Sequence, residues 1–125
     1  RWSPEEAIPL IKKAMRLSPY YPPWYPSMLA LGYLQTGRLE EMIRVGEEEV
    51  QREAGSMTMR AHERLVFAYT ELGRHDQAKV HVAKVLELTP DYSLASREAL
   101  TLQKYKDQVF WKKFFNVLRK TGLPD

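Results

Sequence analysis

Three histidines, an acidic run and a scatter of glycines are the residues that could carry chemistry in this chain. His62, His75 and His81 are the nitrogen ligands available to a metal. His75 and His81 are six residues apart, a spacing that does not place them side by side on a helix, and no His-Glu-x-x-His pair occurs. With no cysteine in the chain, thiolate nucleophiles, disulfides and cysteine-ligated zinc or iron–sulfur centres are excluded. The histidines therefore read as surface or hairpin-packing residues, and no metal is expected. Glu47-Glu48-Glu49 offers three carboxylates, but consecutive helical residues splay around the axis, so the run reads as a solvated acidic face. None of the six glycines precedes a Lys-Ser/Thr pair, so there is no phosphate-cradling loop. No nucleophile stands beside a base. Neither catalysis nor a cofactor is expected.

The remaining expectation is binding, and composition narrows it. Nineteen basic and sixteen acidic residues give a net charge of +3, mixed along the chain. The most basic stretch holds Lys104, Lys106, Lys112, Lys113, Arg119 and Lys120, which read as the solvated face of an amphipathic helix rather than a nucleic-acid stripe. No apolar run approaches the roughly 18 residues that cross a bilayer. The opening residues Arg1 to Glu6 are polar and lack the pattern of a signal peptide. A cytoplasmic address is expected, with no nucleic-acid or membrane partner. An opening Arg in place of Met reads as a fragment of a longer or processed protein.

The elements that would position a binding surface are set by an internal repeat. Leu29, Tyr33, Gly37 and Arg38 recur as Leu65, Tyr69, Gly73 and Arg74, each pair 36 residues apart. Ala7 and Pro19 recur two periods on as Ala78 and Pro90. Leu at i and Tyr at i+4 share a helical face, and Gly four residues later ends the helix in a left-handed conformation. A second apolar-periodic helix follows, with Ala78, Val82, Val85 and Leu86 on one stripe, and Pro90 stops it.

A unit of this length, with Leu and Tyr on the first helix, Gly at the turn, Ala on the second and Pro at the end, resembles the tetratricopeptide (TPR) repeat. Residues 59–92 match best. Residues 23–58 match more loosely: Met42 replaces the usual small Ala, Gly46 interrupts the second helix at about 1 kcal/mol relative to Ala, and Ala54 with a loop through Gly55 replaces the terminal Pro. Residues 3–19 look like the second helix of a truncated repeat, started by a Ser3–Glu6 capping box with Pro4 at the first helical position. Its apolar residues, Ile8, Leu10, Ile11, Ala14, Met15 and Leu17, would lack an upstream partner, so another copy of the chain is one expected cover. Residues 93–125 read as capping helices, with Ser93 and Asp107 as N-caps and Val109 to Leu118 carrying a broad apolar face. The resemblance implies one all-α domain over 1–125: antiparallel helix hairpins stacked as a short right-handed solenoid with a C-terminal cap.

The TPR resemblance also implies a working surface, because the first helix of each pair lines the concave face. Trp24, Ser27, Met28, Leu31, Gln35, Arg60, Glu63, Arg64 and Phe67 are the candidate protein-binding residues. Arg60 and Arg64 match two basic positions of the carboxylate clamp of co-chaperone TPR domains. Met28 stands where the clamp needs Asn, and Glu63 would oppose a carboxylate, so that clamp is not expected. Pro19 to Pro26 packs four prolines and four aromatics, read as a sealed joint between hairpins or an aromatic shelf for a peptide. The segments 19–25, 105–107 and 118–124 resemble the C-terminal TPR tails of bacterial class III adenylate/guanylate cyclases. That likeness implies a regulatory or interaction tail whose partner is a protein, a peptide, another domain of the same protein, or a second copy forming a homodimer.

Overall fold

The computed structural model describes residues 3–52 and 56–125. Among them are seven α-helices and no strand: α1 (Pro4–Leu17), α2 (Trp24–Gln35), α3 (Leu39–Arg52), α4 (Ser56–Glu71), α5 (His75–Leu88), α6 (Leu94–Lys104) and α7 (Gln108–Leu118). Sequential helices α1 to α5 pack on one another, which makes an all-α, TPR-like repeat solenoid. The substituted terminal position Ala54 and its Gly55 loop lie outside the described residues, as do Arg1 and Trp2.

The repeat is visible in the backbone. Gly37 and Gly73 both have φ of 75°. In each turn the amide of the following Arg donates to the carbonyl of the repeat Tyr, Arg38 to Tyr33 and Arg74 to Tyr69, both at 2.8 Å. The glycine amide closes the inner bond, to Leu34 in one turn and Thr70 in the other. This geometry satisfies the last carbonyls of α2 and α4 and reverses the chain into the next helix.

α2 carries no charged residue and sits among α1, α3 and α4, the environment an all-round apolar helix needs. In α3, Met42 is fully buried and Gly46 lies beneath Leu65. A Cβ on Gly46 would meet Leu65 Cδ2 and Met42 Cε at 3.0 Å. The equivalent positions one period later are Ala78 and Val82, so large-then-small in α3 becomes small-then-large in α5. The glycine that looked like a defect accommodates the methionine.

Of three expected N-caps, two form and one does not. Ser93 Oγ accepts from the Ser96 amide at 3.1 Å and Asp107 accepts from the Phe110 amide at 3.0 Å, so both cap. Ser3 occupies the N-cap of α1 with Pro4 behind it, but its side chain makes no capping bond. The apolar face of α1 is also narrower than its composition implied. Ile8, Ile11 and Met15 pack inward, while Leu10 and Leu17 are exposed.

α7 buries Trp111, Phe114, Phe115 and Leu118 and is seated on α4 as well as α6. Phe114 stacks on Phe67 of α4 with ring centroids 4.9 Å apart, and Phe110 meets the same ring edge-on at 6.1 Å. The amide of Leu94 donates to the carbonyl of Pro124 at 2.9 Å, which ties the C-terminal tail back to the start of α6.

Candidate protein-interaction groove

The final hairpin turns the α4 face into a cleft of about 340 Å³. α2 supplies Trp24, Ser27, Met28 and Leu31 to one wall. α4 supplies Arg60, Glu63 and Arg64 to the base. α6 and α7 close the far side with residues that include Arg97, Leu100, Lys104 and Trp111. Seven of the nine candidate residues thus share one cleft. Gln35 lies half-buried at the end of α2, outside the lining, and Phe67 is beneath α7.

Several of these side chains are already engaged within the chain. Glu49 of α3 is buried and accepts from Ser27 of α2 and from Arg64 of α4, the latter at 3.2 Å. Glu63 is 2% exposed and receives Arg97 through two bonds, at 2.8 and 3.0 Å, and the Tyr92 hydroxyl at 2.6 Å. Burial and the adjacent Glu63 push the Tyr92 hydroxyl well above the ordinary tyrosine range, so it stays a donor. A carboxylate this buried is tolerated because each oxygen is paired. These bonds give Ser27, Glu63 and Arg64 a structural role: they lace α2, α3, α4 and α6 into the shape of the cleft. Arg60, Trp24 and Met28 have no such hydrogen-bonded duty among the described residues, and Arg60 and Trp24 are exposed.

The acidic run departs from the solvated-face expectation. Glu48 is exposed, but Glu49 is buried, and Glu47 is half-buried and accepts from Tyr69. His81 Nε2 lies 3.2 Å from Glu47, and His81 Nδ1 lies 2.7 Å from His62 Nδ1 across the α4–α5 hairpin. The three-residue run sits at a helix–helix seam, where the splay that separates the carboxylates also sends two of them inward. His62 and His81 are hairpin-packing residues, and His75 is exposed. No group of three or more potential metal-ligating side chains occurs among the described residues.

The aromatic joint divides between its two readings. Tyr21 and Tyr25 stack in parallel at 6.3 Å, and Arg52 of α3 donates to the Tyr21 hydroxyl at 2.6 Å, which seals the α1–α2 connection. Trp24 meets Tyr25 edge-on at 4.5 Å and turns to the cleft.

Sequence reasoning missed the α6 and α7 contribution. A signal was present for part of it: extending the 36-residue period from Met28 and Arg64 reaches Leu100, and all three line the cleft. Trp111 and Phe114 come from outside the period and carried no such mark.

A tetratricopeptide-repeat family model matches residues 60–92, which cover most of α4, the Gly73 turn, α5 and the loop to Tyr92. The chain therefore carries a TPR repeat, a unit that in general mediates protein–protein interaction. Neither any curated protein nor any solved structure is significantly similar to the chain. Among the described residues, no helix is long and apolar enough to cross a membrane.

Proposed function

We propose that this domain is a non-catalytic protein-interaction module whose working surface is the cleft between α2, α4 and the α6–α7 hairpin. The observation that carries this reading is the cleft's unsatisfied apolar rim. Trp24 of α2 is 51% exposed and Leu100 of α6 is 59% exposed, and they line the same opening. Aromatic and aliphatic side chains held open on a rigid scaffold are what interface anchors are made of. The resemblance of segments 19–25, 105–107 and 118–124 to cyclase tails extends the proposal. The module then serves as the regulatory or interaction tail of a cytoplasmic signalling protein such as a bacterial nucleotide cyclase, and contacts a separate protein or a neighbouring domain.

Self-association is the second reading. Leu10 and Leu17 are 68% and 74% exposed on α1, an outward apolar pair that a second copy could cover.

One experiment separates the two. A photo-crosslinking amino acid is placed at Leu100, at Leu17, and at the exposed Val80 of α5 as a control. The protein is then irradiated in the cells that make it, and the adducts are sequenced. The interaction reading predicts discrete adducts from Leu100 to a protein or domain other than this one. Adducts from Leu17 to a second copy, with none from Leu100, would replace it with the self-association reading.

A further inference from the structure

Charge is uneven across the cleft. Four cationic side chains line it, Arg60, Arg64, Arg97 and Lys104, against one carboxylate, Glu63. Arg97 is paired with Glu63 and Arg64 with the buried Glu49. Arg60 and Lys104 have no ion-pair partner among the described residues, and both are exposed. Lys104 lies over the Tyr105 ring, 5.5 Å from its centroid. The polar atoms left without a partner in the lining residues are also donors: the Trp111 indole N–H and Arg64 Nε, both buried. Among the described lining residues no buried side-chain acceptor lacks a partner, so the surplus of charge on the walls is positive.

Two free cations on facing helices, beside exposed Trp24 and Leu100, select for a negative group with an apolar neighbour. The cations steer and orient, and the apolar walls hold. A cleft of about 340 Å³ is at the lower end of the roughly 300–1,000 Å³ range of ligand pockets, which suits a short segment rather than a folded surface.

We infer that the cleft takes an acidic peptide segment of a protein partner, in which a carboxylate side chain lies beside an aromatic or aliphatic residue. This rests on the interaction reading above and names the partner's chemistry. The carboxylate sits between Arg60 of α4 and Lys104 of α6, and the apolar residue lies against Trp24 and Leu100. The site depends on the final hairpin, because Lys104 and Leu100 come from α6.

Fluorescence anisotropy with the whole chain and three labelled octapeptides tests this. The first peptide carries one tryptophan flanked by two glutamates; the second and third replace the glutamates with glutamine or lysine. The glutamate peptide is expected to bind about tenfold tighter than the glutamine peptide and tighter still than the lysine peptide, and to weaken as salt rises. Arg60→Glu and Lys104→Glu should each remove about tenfold of that affinity, while Lys13→Glu on exposed α1 leaves it unchanged. Both cleft cations are exposed, and a matching melting curve confirms that the variants fold. Equal affinity for all three peptides, abolished by Leu100→Glu, would overturn the acidic preference and leave the interaction reading standing. Failure of every peptide to bind would overturn the inference, while the Leu100 crosslink decides the interaction reading separately. Indole-3-acetate binding as tightly as the glutamate peptide would reassign the site to small organic acids and overturn the peptide occupant.

Discussion

His62 is a buried polar residue in the core of the α4–α5 hairpin. It is 7% exposed and its Nδ1 faces His81 Nδ1 at 2.7 Å, so one nitrogen of the pair donates and the other accepts. Burial, with the positive influence of His81 added, pushes the His62 ring down to about 4 from an ordinary 6.5; Glu47 and Glu87 pull the other way and Lys84 adds to the depression. The unfolded chain therefore binds a proton at His62 in the window between those values, and the folded chain does not. Stability from this residue is present above about pH 6.5 and is lost as pH falls toward 4, by roughly 2–3 kcal/mol. Urea denaturation at pH 7.5, 5.5 and 4.5 checks this. The wild type should lose stability across that series, and His62→Gln should flatten the part of the slope between pH 6.5 and 4.5.

At the scale of the helix, the α3–α4 seam is set by complementary volumes. Met42 is large and buried where the equivalent residue of α5, Ala78, is small, and Gly46 is small where Val82 is large. Met42→Ala alone should open a cavity and cost about 2–4 kcal/mol. Gly46→Val alone should crowd Leu65 and Met42 and cost about 1–3 kcal/mol despite removing a helical glycine. The double variant, which writes the α5 pattern into α3, should be less destabilised than the sum by at least about 1 kcal/mol, measured by chemical denaturation as a double-mutant cycle. Additive losses would mean that the two residues do not share one space. Surface ion pairs such as Arg38–Glu41 contribute little beside this packing, since they stand in water.

Across the whole molecule, the departure from a plain stack of hairpins is the placement of α7 on α4. Phe67 and Glu63 lie on the face that the repeat would leave open, and the last hairpin covers both. α6 is eleven residues long against sixteen for α4, and a three-residue link, Tyr105 to Asp107, turns the chain early. The aromatic face of α7 then buries itself on the nearest large apolar surface, which includes Phe67.

The helices, their turns and most of their N-caps were legible in the sequence, because glycine, proline and the Leu–Tyr spacing act locally. The α2 and α4 walls followed from the TPR resemblance, which puts the first helix of each pair on the concave face. What local signals cannot specify is which distant surface an aromatic face will choose, so the Phe114–Phe67 contact, the Trp111 wall and the Arg97–Glu63 pair were not readable. Nor does a run of three glutamates reveal that two of them face neighbouring helices.

A nuclear magnetic resonance footprint decides whether the cleft between α2, α4 and the last hairpin is the binding surface. Peptides selected from a random display library on the immobilised chain are titrated into the isotope-labelled protein. The largest amide and indole shifts should fall at Trp24, Met28, Arg60, Leu100 and Trp111. Shifts confined to α1 or to the exposed side of α5, with the cleft unmoved, would contradict a binding role for the cleft.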